Sequence, residues 1–209
     1  LQRFCALPRG EGVSKTQRAY EDAAAYLTSA VPTPQSGSIG GEWTVIALSR
    51  GGADVKASYF NSYAAALEQT VRESKGVLSE RKYTEYSRVI LALSALGKDA
   101  RDVAGYDLTL PLGDCEKTTA QGVNGAIYAL LALDSRDYEI PEAEKGTKQT
   151  TRDALVDYLL KAQLADGGWA YGGETAEADM TAIVLQALAP YVAEDAKTAR
   201  EKAVAKAVD

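Results

Sequence analysis

The side chains best placed for chemistry head four apolar runs. "EWTVIALSRGG" begins at Glu42, "SRVILALSALG" at Ser87, "NGAIYALLALD" at Asn124 and "DMTAIVLQALA" at Asp179. Aligned without gaps, the four residues share one column, 45, 37 and 55 residues apart. A carboxylate, hydroxyl or amide there can cap a helix, or present oxygen to a ligand beside the first helical N–H groups. Arg88 follows Ser87 and is expected to pair with Glu42 or Asp179, the other use being to hold an anion. A carboxylic acid kept protonated by a dry pocket and a partner carboxyl acts as a general acid, and Asp179 is the candidate for that role. Twelve tyrosines stand against two phenylalanines. Tyr83, Tyr86, Tyr128, Tyr171 and Tyr191 fall where inner helices or rim loops are expected, and a phenol offers sugars, tetrapyrrole-like rings or peptides both flat area and a hydroxyl. The competing role is packing between helices with the hydroxyl at the surface.

Composition narrows that chemistry. The 209 residues contain no histidine, which removes Ser-His and Cys-His nucleophiles and most zinc sites. Any catalysis would fall to carboxylates, tyrosines or lysines. Cys5 and Cys115 match no metal-ligand spacing, leaving two free thiols or one long-range disulfide, both open. The net charge is −6 and the basic residues are dispersed, so no nucleic-acid partner is expected. At 46% apolar and 25% charged the chain has the profile of a folded globular domain. Its longest apolar stretches fall short of the roughly 20 residues a membrane-spanning helix needs. The chain starts at Leu1 without a leader and stops inside a helical pattern, "REKAVAKAVD", which suggests an excised or processed piece.

The elements that must position these residues alternate in character. The four runs are apolar nearly all round, as helices buried on most of their surface must be. Between them lie amphipathic segments. "TQRAYEDAAAYLTSAV" places Tyr20, Ala24, Leu27 and Val31 on one face, and "TTRDALVDYLLKAQL" does so with Leu155, Tyr158, Leu159 and Ala162. "YFNSYAAALEQTVRES" gives a third through Tyr63, Leu67 and Val71; "DARDVAGYDL" reads as a shorter fourth and "AKTAREKAVAKAV" begins a fifth. Glycine, proline and serine clusters at 32–41, 51–52, 111–113, 141–147 and 166–173 read as turns, and "YDLTLPLGDCEKTTAQG" as an extended connection. The pattern is all-α, with outer and inner helices alternating as in a ring of helical hairpins.

"ALVDYLLKAQLADGGWAY" is similar to the squalene-cyclase and prenyltransferase repeat, in which an outer helix with an aromatic and a Gln runs into Gly-Gly-Trp; Gln163, Gly167, Gly168 and Trp169 occupy those places. "GSIGGEWTVIAL" and "QGVNGAIYALLALDSRDY" further resemble bacterial surface or secreted proteins whose toroid is akin to that of the cobalamin carriers. The resemblance implies an (α/α) toroid over residues 16–209 behind a 1–15 extension: four hairpins and the start of a fifth, a ring left open or completed by a second polypeptide or by chain beyond Asp209. It also implies that glycines make the turn, that the tryptophans Trp43 and Trp169 close the rim, and that the heading residues face a central cavity.

The chemistries of that superfamily fit less well. Class II cyclases use Asp-x-Asp-Asp, whereas "AEADMT" has Asp179 with Met180 in place of a second acid. The zinc set of protein prenyltransferases needs a histidine. The thioester motif Gly-Cys-Gly-Glu-Gln is not matched by "LGDCEKTTAQG". The expectation is a non-enzymatic, secreted or cell-surface bacterial domain that needs no cofactor. It binds a small-molecule, glycan or protein ligand through Glu42, Trp43, Ser87, Arg88, Asn124, Tyr128, Trp169, Tyr171 and Asp179; the alternative is a cyclase-like enzyme with Asp179 as acid. Cobalamin-type carriage is weaker, because the carriers clasp their ligand against a second domain.

Overall fold

The computed structural model describes residues 14–38, 40–52, 54–192 and 199–208. Helix is the only extended regular structure among them. In chain order the helices are α1 (Lys15–Ala30), α2 (Gly41–Gly51), α3 (Ala57–Glu73), α4 (Thr84–Ala95), α5 (Cys115–Thr119), α6 (Val123–Asp134), α7 (Arg152–Lys161), α8 (Ala178–Leu188) and α9 (Ala199–Val208). Two 3-10 turns, Leu110–Gly113 and Ala189–Tyr191, complete the set, and β pairing is confined to isolated bridges. The expected all-α class holds. No helix among the described residues is long and apolar enough to cross a membrane. Cys5 and nearly all of the expected 1–15 extension lie outside the described residues; Cys115 is a buried free thiol at the start of α5.

Local chemistry sets the helix ends. Ser14 caps α1 by accepting the Gln17 N–H (3.1 Å) and Thr151 caps α7 by accepting the Ala154 N–H (3.0 Å). Three helices stop in the same way. The N–H groups of Gly76, Lys98 and Tyr138 donate back to the carbonyls of Val71, Leu93 and Leu133, each at 2.8 Å. The residue before each donor, Lys75, Gly97 or Asp137, has a positive φ. That is the closure by which a left-handed residue satisfies the last carbonyls of a helix.

The chain forms two compact units. The first runs to Leu78 and resumes over Arg88–Leu108; the second takes Ser79–Ser87 and everything from Thr109 onward. In the first, α3 buries Tyr63, Ala64, Leu67 and Val71, α2 buries Val45 and Leu48, and α4 contributes Val89, Ile90, Ala92 and Leu93. In the second, α6 packs against α5, α7 and α8, and α8 against α9. Its α6 buries Ala126, Ile127, Ala129, Leu130, Ala132 and Leu133. Burying a large aliphatic side chain contributes about 1.5–3 kcal/mol, which is why this helix has almost no polar face.

Three expectations about elements need correction. "DARDVAGYDL" is not an outer helix. Ala104 and Gly105 both take positive φ, and Val103 and Tyr106 bond reciprocally across them, a two-residue hairpin turn that breaks the helical period. The stretch after it is not extended but a 3-10 turn followed by the five-residue α5, capped by Asp114. Tyr158, expected on the inward face of α7, is exposed, while Leu155 and Leu159 are buried as expected.

Candidate functional site

The heading residues sit inside their helices, not at the caps. Glu42, Asn124 and Asp179 are the second residues of α2, α6 and α8, whose caps are Gly40, Gly122 and Glu177. Ser87 is the fourth residue of α4 and so lies out of register with the other three. The cause is remote: Gln121 Oε1 accepts both the backbone N–H (3.1 Å) and the hydroxyl (3.0 Å) of Thr84, which starts α4 ahead of its apolar run. Ser87 is buried, its hydroxyl toward the Tyr83 carbonyl at 3.4 Å.

In the first unit, Glu42 is 1% exposed and Oε1 accepts the Gly37 N–H at 2.8 Å. The glycines before it have separate physical tasks. Gly40 supplies φ 77, while Gly41 leaves room for the chain folding back over it, where an added Cβ would strike the Gln35 carbonyl. Beside Glu42 lies Tyr63, 0% exposed, whose hydroxyl reaches no acceptor in good hydrogen-bond geometry. Burial drives its pKa far above the ordinary tyrosine value; the nearby Glu42 carboxylate adds to the rise and the Arg88 guanidinium opposes it. Glu42 and Arg88 thus act on one buried phenol, and Arg88 itself is half-buried. Trp43, one residue on, is 43% exposed. A groove of about 610 Å3 between α1 and α3, floored by Ala24, Thr28 and Tyr59 among others, contains none of the site residues expected from sequence.

In the second unit the Gln-x-x-x-Gly-Gly-Trp phrase is a tied loop. Gln163 Nε2 donates to the Gly167 carbonyl (2.6 Å) and to the Ala203 carbonyl of α9 (2.7 Å). Trp169 is fully buried, and its indole N–H donates to the Leu159 carbonyl at 2.7 Å. Its backbone N–H donates to Thr181 Oγ1 at 3.0 Å. Asp166 accepts the N–H groups of Ala176 (2.8 Å) and Gly168 (3.3 Å), and the first of these bonds does most to hold its carboxyl below the usual range. Glu177 accepts the Tyr171 N–H at 2.9 Å. The loop thereby projects Tyr171, 74% exposed. Asp179 is exposed and accepts the Met180 N–H at 2.9 Å.

The tyrosines divide by environment. Tyr83 and Tyr86 are buried and meet edge to face at 5.5 Å, a packing contact. Tyr191 donates its hydroxyl to Asp134 Oδ2 at 2.6 Å, and Arg152 Nε holds the other oxygen at 2.8 Å. Burial, then Asp134, raises the Tyr191 pKa. Tyr128 is half-buried on α6 in the stripe Asn124, Tyr128, Leu131, all partly open. On α8 the open stripe is Asp179, Ala182, Gln186; on α4, Arg88, Leu91, Ala95; on α2, Trp43, Ala47, Arg50. Each is a single helical face.

Burial removes Glu42, Ser87 and Trp169 from any surface a ligand reaches and leaves Trp43, Tyr171 and Asp179 exposed, with Arg88, Asn124 and Tyr128 between. The buried partner Tyr63 and the loop tie Thr181 carried no mark in the sequence beyond their helical positions. Among the described residues no group of His, Cys, Asp or Glu is arranged to hold a metal. Gln121, nearest in sequence to a thioester partner for Cys115, spends its oxygen on Thr84. What the open faces offer is a carboxylate, amides, a guanidinium and aromatic rings on apolar helices, which suits recognition. The chain matches no protein-family model, no curated protein and no solved structure.

Proposed function

We propose that the chain is a non-enzymatic binding domain of the (α/α) toroid type, with α2, α4, α6 and α8 as inner helices and α1, α3, α7 and α9 as outer ones. It binds a small-molecule, glycan or protein ligand on the inner faces. The observation that carries this reading is the recurrent open stripe. Each apolar helix buries one side and keeps a stripe open that carries polar or aromatic groups: Trp43 and Arg50 on α2, Arg88 on α4, Asn124 and Tyr128 on α6, Asp179 and Gln186 on α8, where Thr181, Ile183 and Leu185 are partly open as well. A helix serving only as core would have no reason to keep such a stripe in water. Placement in a secreted or surface-attached bacterial protein rests on the resemblance of the glycine–tryptophan phrases.

The cyclase-like alternative gains no support from Asp179. A proton donor of that kind depends on apolar burial and a second carboxyl, whereas Asp179 is exposed and already holds a backbone N–H.

Backbone amide shifts of the labelled protein, recorded against a panel of oligosaccharides, corrinoids and short peptides, test the reading. Perturbations are expected at Asn124, Tyr128, Leu131, Asp179 and Gln186, and replacing Tyr128 by Ala should weaken the responding probe about tenfold or more, as loss of an aromatic anchor does. Binding confined to α1, α3 and α7, or no binding by any probe, would overturn it.

A further inference from the structure

We propose that the open groove between α1 and α3, within the first unit, is a second binding site and takes a protonated amine carrying an apolar ring or chain. The site is independent of the reading above, since none of the residues proposed there lines it.

Small residues make the space. Ala24 and Ala25 on α1 and Ser58 and Ser62 on α3 border a groove of about 610 Å3, within the size range of sites for small organic ligands. Pro32, Val55 and the Tyr59 ring extend the apolar lining. That ring is fixed before any ligand arrives: its hydroxyl donates to the Val31 carbonyl at 2.7 Å, and it meets Phe60 edge to face at 5.6 Å. The polar groups decide the class of ligand. A carbonyl can only accept, so a hydroxyl bonded to one has spent its proton. Tyr59 has done so at Val31, Thr28 at the carbonyls of Ala25 (2.9 Å) and Ala24 (3.1 Å), and Ser62 at the Tyr59 carbonyl (2.8 Å). What these three hydroxyls keep for the groove is lone pairs. Pro32 has no N–H to add. Two carboxylates, Glu21 and Asp54, line the same groove, and Glu21 takes the Gln17 side-chain N–H on one oxygen at 2.9 Å. Lys56 is the opposing charge, and it and the Ser58 hydroxyl can donate at the α3 end. The C-terminus of α1 and the N-terminus of α3 meet at the Tyr59–Val31 bond, so their dipoles, opposite in sign there, offset each other. The balance is acceptors and net negative charge over an apolar floor with an aromatic ring, the complement of an ammonium group on a hydrocarbon body.

Three probes that share one body test the site: phenylbutylamine, phenylbutanol and phenylbutyrate, each titrated into the full chain and followed by backbone amide shifts. The amine should give saturable shifts at Ala24, Ala25, Thr28, Tyr59 and Ser62. It should bind roughly tenfold more tightly than the carboxylate, with the alcohol between them. Glu21→Gln combined with Asp54→Asn should weaken the amine about fivefold, as loss of two exposed charge pairs does, and leave the alcohol unchanged. Ala25→Phe adds bulk at an exposed position and should abolish amine binding while the Leu67 amide in the core keeps its shift. Carboxylate or alcohol bound as tightly as the amine would overturn the ligand class. No saturable shift, shifts away from α1 and α3, or binding undisturbed by Ala25→Phe would overturn the site. The α6 and α8 shifts that test the proposed function are read separately, so either reading can fail without the other.

Discussion

The two phrases in which glycines stand near a tryptophan look alike as strings and differ in three dimensions. Trp169 precedes α8 by a loop and is fully buried, whereas Trp43 is the third residue of α2 and is 43% exposed. Residue type made a turn legible at both places, because only glycine takes φ 77 at Gly40 or φ 101 at Gly167 without strain. Whether the ring lies before or inside the next helix decides its burial, and nothing local encodes that. The same limit applies to Glu42: its place in the apolar run was readable, its retreat into the core beside Tyr63 was not, because the partner comes from another helix. Gly41 gives the sharpest test at this scale. Gly41→Ala adds a helix-favouring residue worth up to about 1 kcal/mol, yet its methyl group would meet the Gln35 carbonyl, which cannot swing aside as a side chain can. A net loss of about 1–3 kcal/mol is expected, with amide shifts concentrated at residues 35–42. At Gly52 nothing lies within 4 Å of an added Cβ and only φ 72 is at issue, so Gly52→Ala should cost about 1 kcal/mol. Urea denaturation of the two variants checks the order; a neutral Gly41→Ala would mean the loop does not rest on α2.

Helical periodicity located α1, α3, α6, α7 and α8 closely, since each carries an unbroken stripe of apolar residues one turn apart. It failed at "DARDVAGYDL", where apolar residues recur at nearly helical spacing although Ala104 and Gly105 impose a hairpin turn; alanine in a left-handed conformation leaves no compositional trace. It placed the start of α4 three residues late, at Ser87 where the helix begins at Thr84, because Gln121 and not the apolar run determines the start. The shared closure of α3, α4 and α6 supplies a prediction for elements. The left-handed position is glycine in α4 but Lys75 in α3 and Asp137 in α6. Lys75→Gly and Asp137→Gly should each stabilise the protein by roughly 0.5–1 kcal/mol, the relief of left-handed strain outweighing the added freedom of the unfolded chain. Gly97→Ala, with open space around the new Cβ, should cost about 1 kcal/mol. Thermal melts of the three variants test the opposite signs together; equal signs would contradict the common closure.

For the whole molecule, the absence of histidine moves the pH dependence of stability away from neutrality. Each unit holds a tyrosine whose pKa burial raises, Tyr63 in the first and Tyr191 in the second. When the folded-state value exceeds the unfolded one, the native state keeps a proton that the unfolded chain gives up. Stability from that group is therefore complete below the unfolded value of about 10 and declines as pH rises above it. Alkaline unfolding should begin near pH 10, with Trp43 reporting on the first unit and Trp169 on the second. Tyr63→Phe should flatten the alkaline decline of the Trp43 signal and Tyr191→Phe that of the Trp169 signal, although each variant starts from lower stability at pH 7. Helix α4 contributes residues to both units, so each signal is followed separately. Emission of single-tryptophan proteins, Trp43→Phe and Trp169→Phe, followed from pH 8 to pH 12 separates the outcomes. Transitions more than about one pH unit apart would show that the units unfold independently. Alkaline profiles unchanged in shape by both phenylalanine variants would show that neither tyrosine governs the loss.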